Sequence, residues 1–231
     1  MRIAGLVKSS LIDYPGKIAA VVFTQGCNFR CGFCHNPYLI PLESQTSGFS
    51  ESDILDFLET RVGKLDGVVI TGGEPLIQPD IINFIMKIKK LGLLIKLDTN
   101  GANPKVLSEI IEKKLVSYIA MDIKGPLDKY EHICAYPNTK FIQESIKLIK
   151  NSKVDYEFRT TVLPYYHEFS DFDAIGKLIK GSKKYTIQGF RPQITLDPTL
   201  REVSTFSKSD LTRISHIIAP YVEKVVIYKN S

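Results

Sequence analysis

The 231 residues carry 30 Lys and Arg against 25 Asp and Glu, a net charge of +5, with 44% apolar residues and only 4 cysteines. That length allows one sizeable α/β core. The basic residues Lys87, Lys89, Lys90, Lys113 and Lys114 alternate with apolar ones without interleaved aromatics, which excludes a nucleic-acid footprint as the leading reading.

In chain order, the unbroken β-branched and aromatic run at 18–24 predicts a buried strand. Ser50 followed by Asp53 reads as an acidic capping box, opening a helix through Ile54, Leu55, Leu58 and Val62. Residues 68–71 read as the next strand. A helix from about Pro79 turns Ile82, Ile85, Met86 and Ile88 to its apolar side and stops at Gly92. After a strand at 93–98, Asn103 and Pro104 give the N-cap and first-turn proline of a helix carrying Val106, Leu107, Ile110 and Ile111. The alternation continues with strands at 116–121, 154–163, 185–189 and 224–228, and helices at 139–150, 171–180 and 209–218. This βα order predicts a parallel sheet with outer helices, and with no repeat or linker in view it predicts a single domain over 1–231. No apolar run reaches bilayer length and residues 1–5 form no signal core. The expectation is a cytoplasmic protein with reduced thiols and no membrane or nucleic-acid partner.

Polar signatures sit just past the C-terminal ends of successive strands: Cys27 to Cys34, Thr71-Gly72-Gly73-Glu74-Pro75, Asp98-Thr99-Asn100-Gly101 and Asp122-Ile123-Lys124. An open sheet concentrates ligand groups at one switch point, whereas a barrel gathers every such loop around one mouth, so a complete or partial TIM-like barrel is favoured. Cys27, Cys31 and Cys34, spaced x3 and x2, suit a soft metal centre with one open position. Zinc with His35 as fourth ligand is the plainer alternative, but adjacent Cys34 and His35 are awkward in one tetrahedral shell. A 4Fe–4S cluster fits better, its open iron free for a chelating amine and carboxylate. Gly72 and Gly73 permit close backbone approach to a ligand, and Glu74 can accept from an ammonium group. Asp98, Asn100 and Asp122 suit ribose hydroxyls and nucleoside edges; Lys124 suits a carboxylate or an Asp partner. Singly, each of these reads equally as a helix cap or an ion pair. Arg159 and Arg191 either point into the barrel or form structural ion pairs. Cys134 reads as a buried small residue or an inert thiol rather than a fourth ligand, and His132, His167 and Gln193 stay unassigned.

The motif Cys27-x3-Cys31-x-Phe33-Cys34 followed by Gly72-Gly73-Glu74-Pro75 resembles the radical S-adenosylmethionine (radical SAM) superfamily. Residues 10–17, residues 23–28, Cys34-His35-Asn36-Pro37, Asp98-Thr99-Asn100-Gly101 and Asp122-Ile123-Lys124 carry a closer resemblance to the activating enzymes of glycyl-radical enzymes, and among them to activators of anaerobic ribonucleoside-triphosphate reductase. The resemblance implies a partial (β/α)6-type TIM-like barrel. It implies that Cys27, Cys31 and Cys34 hold one 4Fe–4S cluster, that Phe33 packs on the adenine of S-adenosylmethionine, and that Gly72, Gly73 and Glu74 meet its amino group. Asp98, Asn100, Asp122, Lys124 and Arg159 would hold the rest of that cofactor. One electron from the cluster would release methionine and a 5′-deoxyadenosyl radical, which takes hydrogen from a glycine Cα of a partner glycyl-radical enzyme. No side chain is needed as catalytic acid or base, and a flavodoxin or ferredoxin is the implied electron donor. The chain departs from relatives in reading Asp13-Tyr14-Pro15-Gly16 where many have Asp-Gly-Pro-Gly, and in carrying Phe190-Arg191-Pro192-Gln193 where some have a His. The rival readings are a radical enzyme acting on a nucleotide-like small molecule and a zinc-binding interaction module.

Overall fold

The computed structural model describes residues 1–42 and 48–228. Its centre is one eight-stranded sheet whose spatial order follows the chain: β1 (Ile3–Ser10), β2 (Ala19–Thr24), β3 (Gly67–Gly72), β4 (Leu94–Thr99), β5 (Tyr118–Asp122), β6 (Asp155–Val162), β7 (Tyr185–Gly189) and β8 (Val225–Tyr228). From β2 to β8 every neighbouring pair is parallel. The helices between them are α1 (Glu51–Glu59), α2 (Ile81–Lys90), α3 (Pro104–Glu112), a short α4 (Tyr130–Cys134), α5 (Thr139–Asn151), α6 (Phe169–Leu178) and α7 (Lys208–Ile218). Strands β2 to β7, each followed by a helix, make the expected partial (β/α)6-type barrel, with β1 and β8 added at its two edges.

The parallel sheet with outer helices is as expected; the sequence reading places no strand at β1, which pairs antiparallel with β2, Leu6 facing Val22. Only its end residues Ile3 and Ser10 are buried, so the strand lacks the apolar run or clean alternation that marks a strand in sequence.

Helix starts follow their caps. Ser50 Oγ accepts from the Asp53 amide at 3.1 Å and Asp53 accepts from the Ser50 amide at 2.8 Å, the predicted reciprocal box. The Asn103 side chain caps α3 ahead of Pro104. Helix α6 starts two residues before the expected Asp171, because Glu168 and Asp171 form a capping box of their own. Two predicted apolar faces shift. Helix α1 ends at Glu59, leaving Val62 50% exposed, and α2 buries Ile81, Phe84, Ile85 and Ile88 while Met86 is 39% exposed.

The core lies between the outer helices and one face of the sheet. Ile95 and Leu97 of β4, Ile119 and Met121 of β5 and Phe158 of β6 pack there with Leu107, Ile110, Ile142, Ile146 and Phe172. Side chains alternate across a strand, so the intervening residues face the lumen. On β2 and β3 these are apolar, where Ala19, Val21 and Val69 gather under Tyr14. On β4 to β7 they are mostly polar, Lys96, Asp98, Asp122, Glu157, Arg159, Thr186 and Gln188, with Tyr118 and Ala120 of β5 among them.

Candidate functional site

The loops after β2 to β5, with strand residues Arg159 and Thr161 of β6 and Gln188 of β7, surround one cavity of about 390 Å³ at the C-terminal end of the barrel. Its walls include Cys27, Cys31, Phe33, Cys34, Gly72, Gly73, Glu74, Asp98, Asn100, Asp122, Lys124 and Arg159, so all twelve residues singled out in the sequence come together.

The cysteine loop leaves β2 through Gly26, whose φ of +99° suits glycine. It is anchored by backbone bonds from Gly26 to Leu39 at 2.7 Å, from Cys27 to Ile40 at 3.0 Å and from Arg30 to Cys134 at 2.9 Å. The Arg30 guanidinium closes the turn on the carbonyl oxygens of Cys27 and Phe29 at 2.7 and 2.9 Å. Phe29 packs beneath it against Tyr136, ring centroids 4.6 Å apart. Burial pushes the Cys27 thiol up to about 12 and raises Cys34, while the Cys134 thiol beside Cys31, with burial, pushes Cys31 well up. Loading a metal centre onto these thiols therefore releases protons. Among the described residues no three His, Cys, Asp or Glu converge on a single ion. The three thiols are a donor set that suits an iron–sulfur cluster, which takes one thiolate per iron. His35 does not complete a tetrahedral set; its ring stacks on Phe190 with centroids 6.0 Å apart.

Gly72 and Gly73 are explained first by the protein itself. A Cβ on Gly73 would sit 2.0 Å from the Gly26 carbonyl oxygen, and one on Gly72 would sit 2.4 Å from the Thr24 amide. The Gly73 amide donates to Thr24 at 2.9 Å and the Glu74 amide to Gly26 at 2.8 Å, which ties this loop to the start of the cysteine loop. The Glu74 carboxylate is buried and accepts from the Leu76 amide at 3.0 Å, Thr99 Oγ1 at 2.7 Å and the Asn100 amide at 2.7 Å. Burial pushes its carboxyl up to about 7 although these donors pull the other way. Asn100 is similarly engaged, donating to Asn28 Oδ1 and accepting from the Ala102 amide, both at 2.9 Å. Glu74 and Asn100 thus cross-tie three loops, a role the motif alone does not reveal.

Opposite the cysteines runs a chain of alternating charges. Lys124 Nζ meets Asp122 Oδ2 at 2.9 Å, Arg159 Nε meets Asp122 Oδ1, and Arg159 Nη2 meets Asp98 Oδ2 at 3.1 Å. Lys96 Nζ closes on the remaining oxygen of Asp98. Removal from water would raise the Asp122 carboxyl, but Arg159 and Lys124 hold it well below the usual carboxylate range. The same carboxylates raise Arg159 and Lys124 against the effect of burial. Phe33 is buried with its ring against Tyr166 at 5.9 Å, and Lys124 Nζ stands 5.9 Å above its centroid.

Several participants carry no motif signal. His167, buried on the loop before α6, places Nε2 2.8 Å from the Lys124 carbonyl oxygen, and buried Tyr130 accepts from the Lys124 amide at 3.1 Å. Cys134 is fully buried, its thiol donating to the Tyr130 carbonyl at 3.0 Å. Arg191 and Gln193 are exposed and outside the cavity walls, so the reading of Arg191 as an inward-pointing residue is corrected: it lies in the loop beyond the end of β7, not on the strand.

Comparison with known proteins agrees with this arrangement. The profile of the Radical SAM superfamily matches residues 21–179. A protein of Methanocaldococcus jannaschii named as a glycyl-radical enzyme activating enzyme is 34% identical over 97% of this chain and 95% of its own. The pyruvate formate-lyase-activating enzyme of Clostridium pasteurianum is 25% identical over 96% of this chain and 98% of its own. Among solved structures, SuiB of Streptococcus suis bound to S-adenosylmethionine superposes with a TM-score of 0.65 at 15% identity, covering 90% of this chain and 48% of that one. A domain of a pyruvate-formate lyase-activating enzyme from Bacteroides vulgatus gives 0.59 at 17% identity, covering 71% of this chain and 99% of that one. Both structures share the fold. With its three-cysteine loop at the mouth of a partial barrel and a relative this similar along nearly its whole length, the chain belongs to the radical SAM superfamily, among the activating enzymes of glycyl-radical enzymes.

Proposed function

We propose that this protein uses a 4Fe–4S cluster and S-adenosylmethionine to install a glycyl radical on a partner enzyme, and that the partner is an anaerobic ribonucleoside-triphosphate reductase. The observation that carries this reading is the facing of three free thiols and an Asp98–Arg159–Asp122–Lys124 charge chain across one cavity. Cys27, Cys31 and Cys34 would hold the cluster, a donor set of thiols that fits iron–sulfur chemistry. When bound, the cluster supplies the electron that cleaves the cofactor's sulfonium bond, opening the way to hydrogen abstraction from a glycine Cα.

The chain's own residues orient and enclose. Asp98, Asp122, Lys124 and Arg159 offer both signs of charge to the cofactor's amino-acid end, already locked by mutual pairing, so little reorganisation accompanies binding. Phe33 offers an aromatic face for the adenine. Glu74 and Asn100 keep the cysteine loop and the two following loops in register. Among the described residues the charged side chains on the cavity wall are four carboxylates, Asp13, Glu74, Asp98 and Asp122, against two cations, Lys124 and Arg159. Such a lining disfavours a polyphosphate substrate and supports a polypeptide target over a nucleotide-like small molecule.

Anaerobic reconstitution with iron and sulfide, then reduction with S-adenosylmethionine present, tests the reading. The expected result is broad visible cluster absorption and release of 5′-deoxyadenosine, followed by a glycyl-radical resonance once the reductase is added. No release would overturn the cofactor chemistry; release without a resonance would overturn the partner. Reduction by flavodoxin against ferredoxin separates the two candidate electron donors.

A further inference from the structure

Lys96 lies off the cavity that holds the predicted residues, yet it grips one of them. On β4 it stands two residues before Asp98, so both side chains face the lumen while Ile95 and Leu97 face the helices. Its side chain is only 3% exposed and its Nζ meets Asp98 Oδ1, as Arg159 Nη2 takes Oδ2 at 3.1 Å. Arg159 is shared, because its Nε also serves Asp122. Without Lys96, Asp98 would keep only its share of that guanidinium, and its Oδ1 would lose its cation.

Lys96 also walls a second lumen cavity of about 280 Å³, which abuts the first along Asp13, Asp98, Arg159 and Gln188. A lysine buried against one carboxylate is costly unless the pair is well fixed. Here the pairing sets the plane of a carboxylate that lines both cavities. We propose that Lys96 is a positioning residue for S-adenosylmethionine, acting through Asp98, whose orientation it fixes before the cofactor arrives. This rests on the reading that Asp98 meets the cofactor. It adds a lysine that neither the cysteine motif nor the loops beyond the strand ends point to.

The test is calorimetric titration of S-adenosylmethionine into the reconstituted, cluster-loaded protein and its variants, with Tm measured beside each. Lys96→Met is expected to weaken binding about tenfold, the lower end of the loss found when the outer partner of a metal ligand is removed, and Lys96→Arg to restore most of it. The double variant K96M/D98N is expected to bind no more weakly than D98N alone, since a residue acting only through Asp98 has nothing left to orient. Wild-type affinity in K96M overturns the proposal while leaving the cofactor reading intact, and so does full additivity in the double variant. Absence of binding by the wild-type protein overturns the cofactor reading and this proposal together. Should K96M fail to fold, Lys96→Gln gives the same comparison, and wild-type affinity there overturns the proposal.

Discussion

The Glu74 carboxylate reaches from the loop after β3 to the Asn100 amide after β4, 2.7 Å away, and does so from a fully enclosed position. Its other oxygen serves Leu76 and Thr99. Glu74→Gln would turn an amide nitrogen against at least one of these donors. Thermal unfolding of the variant is expected to register a loss of roughly 1–3 kcal/mol, the cost of a buried polar group left unpaired. An unchanged Tm with weakened cofactor binding would mean that Glu74 acts on the ligand rather than on the loops.

Gly73 sits where any side chain would strike backbone, 2.0 Å from the Gly26 carbonyl oxygen and 3.0 Å from that of Leu39. Neither neighbour is a flexible tip, so Gly73→Ala must displace the start of the cysteine loop. Iron content after anaerobic reconstitution is expected to fall sharply, and iron bound at the wild-type level would refute this account.

Arg159 joins two carboxylates carried by the neighbouring strands β4 and β5. Arg159→Met should cost roughly 3 kcal/mol, about 6–12 °C in Tm, since breaking such a pair strands its partners. Arg159→Lys keeps the charge but cannot bond both carboxylates through one planar fork, so an intermediate Tm is expected from differential scanning calorimetry.

Asp122 gives the site an acid-sensitive component. Its carboxyl is held below the ordinary 3.8 by Arg159 and Lys124 despite burial. A depressed folded-state value contributes stability that is fully present above that ordinary value and is lost progressively as pH falls from there toward the lower folded-state value. Urea unfolding of the cluster-free protein between pH 6 and pH 2 should therefore show wild-type stability falling toward that of Asp122→Asn at the acid end. Parallel curves would remove Asp122 as the source.

Cys31 and Cys134 lie side by side, but only Cys31 belongs to the proposed ligand set. Cys31→Ala is expected to abolish cluster incorporation, measured as iron and acid-labile sulfide. Cys134→Ala should retain it, with a stability loss from the small cavity left beside Tyr130.

The sequence made the barrel and its mouth readable because each signal was local. Strands of continuous apolar residues, Ser50 with Asp53, Asn103 with Pro104, and three cysteines within eight residues all declare themselves within a few positions. What stayed hidden depends on partners far away in the chain. Gly72 and Gly73 read as room for a ligand, yet the nearest atoms belong to residues 24–26. His167 had no metal-spaced companion because its partner is the carbonyl of Lys124, 43 residues earlier. Lys96 was absorbed into a strand because its fellow lumen residues Glu157 and Thr186 arrive from other strands. Strand β1 gives no local signal because its middle is not buried.

Among the described residues the ladder runs from β1 to β8 without β8 pairing back to β1. The barrel wall is therefore a C in cross-section, with the turn at Ile12, Asp13 and Pro15 and the strand residues Val226 and Tyr228 bordering one lumen cavity. A closed ring admits a chain only end-on, and a loop anchored at both ends must enter it doubled back on itself. If the target is a glycyl-radical enzyme, as proposed, the unpaired edges of β1 and β8 leave a side along which such a loop could approach with both ends outside.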